Sequence, residues 1–100
     1  MQVNQQTTNV NTPSIQSSAT ALAANTARIG WTIQNLGTNE LFVLMGSGAT
    51  TSVFHTVLKK GTGQDDGTGG SVGQETGVVY TGIITIAGTS PRYTVIEFAP

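Results

Sequence analysis

His55 is the only histidine in this chain of 100 residues, so acid–base, metal or nucleophilic chemistry would have to be built around it or around five carboxylates. A Ser–His–Asp relay would combine His55 with Asp65 or Asp66 and one of many serines. The Gly-x-Ser-x-Gly spacing occurs once, at Gly69-Gly70-Ser71-Val72-Gly73, but no helical pattern follows it to make the strand–elbow–helix that lifts a nucleophile into reach. One histidine cannot make a His-rich metal site, and with no cysteine there is no thiolate site and no disulfide framework. Asp65-Asp66-Gly67 invites a calcium reading, but an EF-hand spaces its acids alternately and closes with a bidentate Glu. Adjacent acids diverge, and a solvated loop tip is the better description. Glu40, Glu75 and Glu97 form no local carboxylate pair of the kind that glycoside hydrolysis uses. Between Gly61 and Gly73 the Gly-x-Gly spacing recurs, as in phosphate-cradling loops. Such loops open a helix whose amides face the phosphate; here no helical pattern follows, and no Lys-Ser or Lys-Thr pair stands at the required position. Among the aromatics, Tyr80 and Tyr93 are the one pair expected to be exposed enough to stack on a sugar. No catalytic, cofactor-binding or metal-ligating residue is assigned, and the chain is expected to be neither an enzyme nor dependent on a cofactor.

Composition explains why chemistry is so sparse. Charged residues are 9% of the chain, against roughly 25% in ordinary soluble domains. Thr, Ser, Asn, Gln and 13 Gly fill the difference. A surface this poor in charge suits a protein that lives packed against partners. Arg28, Lys59, Lys60 and Arg92 are scattered among the acids, giving net charge −1, which argues against a nucleic-acid ligand. The first residues have no basic region and no long apolar run, so neither a signal peptide nor a membrane span is expected. At 10.3 kDa the chain is long enough for one core.

The elements that would carry these residues read as strands. Ile29, Trp31 and Ile33 alternate with Gly30, Thr32 and Gln34, which gives one apolar face. Leu41–Met45 is apolar throughout, as in a strand buried on both faces. Between them, Asn35-Leu36-Gly37-Thr38-Asn39 supplies turn formers, so a local hairpin is expected. Val53–Leu58 reads as a short strand. Val78–Ile86 reads as one strand broken or bulged at Gly82, and Tyr93–Phe98 as a closing strand. With no core helix, the fold class is all-β: a single antiparallel β-sandwich or small jelly-roll-like barrel. Trp31, Ile33, Val43, Val57, Ile84, Ile86, Val95 and Phe98 are its expected core.

Two segments differ in character. Residues 1–27 carry no charge and no aromatic, and bury too little to fold alone. They read as an extended N-terminal arm, separate from a domain at 28–100, that docks on neighbours through Val3, Val10, Ile15 and Leu22. At about 3.3 Å per residue the arm would reach past its own domain, and removing residues 2–24 should leave that domain folded. Residues 61–77 read as a Gly-rich projecting loop, with Asp65 and Asp66 toward solvent or a neighbouring subunit. Replacing Gly63–Gly73 by a short turn should likewise be tolerated.

The hairpin region also carries a family likeness. The pattern Ala-Arg-x-Gly-x-x-Ile-Gln-Asn-x-Gly-x-Asn-x-Leu-x-Val-x-x-Gly, from Ala27 to Gly46, resembles small structural proteins of tailed bacteriophage particles. Val53–Gly61, Tyr80-Thr81-Gly82-Ile83 and Thr94-Val95-Ile96-Glu97 extend the likeness to Phe98. It implies a virion β-domain, assembled in a host cytoplasm, of the head decoration or cement type. Its expected partners are a major capsid protein or other virion protein and further copies of itself, with a trimer favoured. The alternative is a tail or spike module that recognises host cell-surface glycan.

Overall fold

A computed structural model describes residues 2–9, 17–75 and 77–100. Eight strands are found among them: β1 (Gln2–Asn9), β2 (Ser17–Leu22), β3 (Gly30–Asn35), β4 (Leu41–Met45), β5 (Thr56–Leu58), β6 (Ser71–Gln74), β7 (Ile84–Gly88) and β8 (Arg92–Ala99). They form two four-stranded sheets in the orders β1-β8-β3-β6 and β2-β7-β4-β5, with every named strand pair antiparallel. The pairs β1·β8, β2·β7, β3·β6 and β4·β5 match each strand to its counterpart from the other end of the chain. A ribbon folded back at β4–β5 and then rolled up gives this order, which is the jelly roll. The all-β sandwich expected from the alternation is therefore the fold.

Alternation sets which side chains face inward. Ile33 opposes Val95 across β3–β8, and Val43 opposes Ile86 across β4–β7. With Trp31, Leu41, Leu58, Ile84, Tyr93, Ala21 and Leu22 they make one core cluster. Six of the eight expected core residues are buried, while Phe98 is half-buried and Val57 is exposed. Val57 pairs with Phe42 on the outer face, and its neighbour Leu58 pairs inward with Leu41, so the short strand runs one residue out of the expected phase. Burial on both faces belongs to β7 rather than β4. Loop 46–55 covers the outer side of β7: Thr85 Oγ1 donates to the Gly46 carbonyl at 2.7 Å and accepts from the Ala49 amide at 3.2 Å.

The expected β3–β4 hairpin does not form, because the two strands lie in different sheets. Asn35, fully buried, organises the crossing instead. Its Oδ1 accepts from the Gly37 amide at 2.9 Å, and its Nδ2 donates to the carbonyls of Asn39, Leu58 and Lys59 at 2.9, 3.3 and 3.3 Å. One side chain thereby closes the turn and ties it to the end of β5.

Two further expectations are corrected. Residues 2–9 and 17–22 are not an arm outside the domain: they are strands β1 and β2, paired along β8 and β7 of the same chain. The division at 27/28 is no structural boundary, and Leu22 fills the chain's own core. The 61–77 segment does not project freely either. Within it β6 pairs with β3, the Asp65 amide donates to the Leu36 carbonyl at 2.8 Å, and the Gly70 amide donates to the Lys59 carbonyl at 2.8 Å. Its glycines reflect close approach. A Cβ on Gly69 would collide with the Asn35 carbonyl oxygen, and one on Gly70 would come within 2.9 Å of the Lys59 nitrogen. Replacing Gly63–Gly73 removes part of a sheet.

Trp31 is 1% exposed, and its indole N–H donates to Gln74 Oε1 at 2.9 Å. Trp31→Ala is expected to cost about 3–5 kcal/mol, the range for large-to-small changes in a closed core. Urea unfolding of the variant beside the parent measures it.

Candidate functional site at the sandwich edge

The residues singled out for chemistry are placed apart and engaged separately. His55 is exposed, just ahead of β5, and its Nδ1 accepts the Met45 amide at 3.1 Å. That bond leaves the ring hydrogen of the neutral imidazole on Nε2. Asp65, in the left-handed region at φ 62°, is held by the Arg92 fork: Nε to Oδ1 and Nη2 to Oδ2, both 2.6 Å. The Arg92 hydrogen bond lowers the Asp65 pKa below its ordinary value and raises that of Arg92. Neither acid is described as a partner of His55, so no relay is assembled among the described residues. No group of three or more His, Asp or Glu there could hold a metal ion.

Asp66 closes its own turn. Its Oδ1 accepts the Thr68 amide at 2.9 Å and the Thr68 hydroxyl at 2.6 Å, while its Oδ2 accepts the Thr62 hydroxyl at 2.7 Å. These bonds favour the ionised form and lower its pKa from 3.8 to about 2, with the Thr68 hydroxyl the largest cause. The folded value lies below the unfolded one. The stabilisation is therefore complete above pH 3.8 and is lost as pH falls through about 2. The Thr68 amide resonance is expected to titrate near pH 2, and in Asp66→Asn that transition should vanish.

The tyrosine pair does not form a platform. Tyr93 is buried in the core, opposite Asn35 across β3–β8, and Tyr80 is half-buried. Val3 lies on β1, while Val10 and Ile15 fall outside the described residues.

A concave site does exist, at the edge where the two sheets part. The Gly70–Lys59 hydrogen bond joins β6 to the end of β5. From that junction the strands run back toward Thr56 and forward toward Gln74, and a cavity of about 120 Å³ opens between them. Trp31, Val43, Met45 and Val72 give it apolar walls; His55, Thr56 and Gln74 edge it with polar groups. The orientation of Gln74 is fixed, because its Oε1 accepts both the Trp31 indole N–H and the Tyr80 amide, each at 2.9 Å. Its amide nitrogen is left to donate. With His55 Nε2, the site offers two N–H donors beside an apolar floor, and no carboxylate lines it. That arrangement suits an aliphatic group next to a carbonyl.

Neither this site nor one structural pair follows from local spacing in the sequence. β6 shows no apolar alternation, so its pairing, and hence the cleft wall, was invisible. Arg28 and Glu97 form a buried ion pair, Nε to Oε1 at 2.9 Å. The signal was present: Glu97 shares the inward phase of β8 with Tyr93 and Val95, and an inward acid requires a buried partner.

No protein family matches the chain, and no curated protein matches it. A solved structure described as "Bacillus endospore appendages form a novel family of disulfide-linked pili" aligns over 97% of this chain and 88% of that one, at 16% identity and TM-score 0.43. At that level the likeness carries no argument about the role of this chain.

Proposed function

We propose that this chain is a non-enzymatic structural subunit of a virion, a head decoration or cement protein that stabilises the shell by bridging capsid subunits. The observation that carries the reading is the charge-depleted exterior. Of the nine Lys, Arg, Asp and Glu residues, four are consumed in the Arg28–Glu97 and Arg92–Asp65 pairs. The other five, Glu40, Lys59, Lys60, Asp66 and Glu75, are exposed among Thr, Asn, Gln and Gly, with exposed Val53, Phe54, Val57 and Val78. Interface cores are depleted of charge in the same way, because burying an ion costs more than burying an amide or a methyl group. The jelly roll is also the architecture of many capsid domains, a support that is analogy of fold alone. The bacteriophage likeness of Ala27–Gly46 points the same way. Function here is held in buried interface area, with no reaction step.

The measurement that tests this is copy number in purified particles by quantitative mass spectrometry. Hundreds of copies per head are expected. A few to tens, located on the tail, would transfer the chain to the glycan-recognition reading, which the burial of Tyr93 leaves without its aromatic pair. Absence from particles would remove both.

A further inference from the structure

We propose that β1 is an assembly edge: it pairs with β1 of a second copy of this chain, antiparallel, about a twofold axis at Gln6. The two sheets leave four edges, β1, β2, β5 and β6. Sheets protect such edges from pairing with other chains by short strands, bulges or charge. Three of the four are protected in this way. β2 shifts register between Thr20 and Leu22. β5 has three residues and runs into Lys59-Lys60, and β6 has four and runs into Glu75. β1 has eight residues in unbroken register with β8, and none of them is charged, proline or glycine. Such a strand is a template for another.

Backbone direction fixes what that edge offers. Along a strand, successive residues turn their N–H and C=O groups to opposite neighbours. The Arg92 and Phe98 carbonyls accept from the Leu36 and Ile29 amides, so the even-numbered residues of β8 face β3 and the odd-numbered ones face β1. Carried through the register, this gives Gln2, Asn4, Gln6 and Thr8 the hydrogen bonds to β8. Val3, Gln5, Thr7 and Asn9 turn their backbone groups outward, where no strand pairs with them among the described residues.

A second β1 is the complement of this edge. With Val3 opposite Asn9 and Gln5 opposite Thr7 of the other copy, all four outward residues are paired on both chains, with about eight hydrogen bonds across the seam. Any other twofold register sets at least one of them opposite a residue outside β1. Charge selects the same occupant. Residues 1–27 carry none, so β1 meets its own copy without repulsion, whereas self-pairing at β5 or β6 would bring like charges together. Gln, Asn and Thr are also types that pair with their own kind across strands. The contact does not depend on which particle the chain belongs to: a chain that stays monomeric would overturn it and leave capsid binding standing.

The chain has no cysteine, so a single introduced one reports the register. At the axis Gln6 stands opposite its own counterpart, at the Cα separation of about 4.5 Å of a non-hydrogen-bonded pair, which a disulfide spans. Mild oxidation of Gln6→Cys is expected to give a covalent dimer. Asn4→Cys alone should not, because its counterpart lies four residues along the seam, roughly 13 Å away, but a mixture of Asn4→Cys and Thr8→Cys should give the mixed dimer. Sedimentation equilibrium of the intact chain is expected to show a monomer–dimer equilibrium that salt does not weaken. Gln5→Pro removes an outward N–H and leaves the β8 ladder in place, so it should raise the dissociation constant at least about tenfold while unfolding cooperatively. The cysteine variants decide the register even if the proline variant fails to fold. A monomeric parent, an association that falls with salt, or Asn4→Cys crosslinking as well as Gln6→Cys would overturn the proposal.

Discussion

Replacing Arg28 by Met is expected to destabilise the sandwich by about 3–5 kcal/mol, the range for removing one partner of a buried ion pair. The guanidinium is fully buried, and every contact it makes is a staple. Nε meets Glu97 Oε1 at 2.9 Å; Nη1 donates to the Tyr80 and Gly82 carbonyls at 2.9 and 3.0 Å; Nη2 donates to the Ala23 carbonyl at 2.6 Å. Segments from the end of β2, the β6–β7 connection and β8 are thus held by one side chain. Methionine keeps much of the volume but leaves Glu97 charged in an apolar setting and three carbonyls short of a donor. Lysine should rescue little, because a point charge cannot reproduce a planar fork over four acceptors. The double variant Arg28→Met with Glu97→Leu is the informative control. If the cost lies in the stranded acid, the double variant recovers part of the loss; if it lies in the carbonyls, it does not. Chemical denaturation of the three variants separates the outcomes. A loss below about 1 kcal/mol for Arg28→Met, the scale of an exposed pair, would show that the staple contributes little.

How much of this was legible in the sequence depends on whether a strand shows an apolar phase. β3, β7 and β8 alternate or run apolar, and Trp31, Ile33, Ile84, Ile86 and Val95 are buried as their phase requires. β1 and β6 lie at sheet edges, where one backbone ladder holds the strand and side chains need not be apolar. Gln2–Asn9 and Ser71–Gln74 therefore read as arm and loop. Glycine at 69 and 70 read as freedom, yet these positions are glycine because backbone passes too near for a Cβ. Asn35-Leu36-Gly37 carries turn chemistry that serves a hairpin and a sheet crossing equally well. Only the partners of the flanking strands, β8 and β7, distinguish the two, and those partners lie some fifty residues away. The cleft depends on the same long-range pairing: its floor comes from β3 and β4, its walls from β5 and β6. No local spacing brings those together.

Deleting residues 2–24 is expected to abolish folding, the reverse of what an independent arm would do. The deletion removes β1 and β2 together with Ala21 and Leu22, both buried in the core. Losing Leu22 alone from a closed core costs about 2–5 kcal/mol, and a domain of this size has only about 5–15 kcal/mol in total. Removing Ala23 also strips Arg28 of its shortest acceptor. A smaller deletion isolates the outer strand. Without residues 2–9, β2 and the core stay, but eight positions of β8 lose their ladder partner. That variant should keep a cooperative though weakened unfolding transition, and it should aggregate through the exposed β8 edge. A synthetic peptide of residues 2–9 added in trans should suppress that aggregation by refilling the ladder. Circular dichroism and light scattering read both outcomes. A cooperative, monomeric fold after deletion of 2–24 would mean that β1 and β2 are accessory to the sandwich, and that the sheets close around β7 and β8 without them.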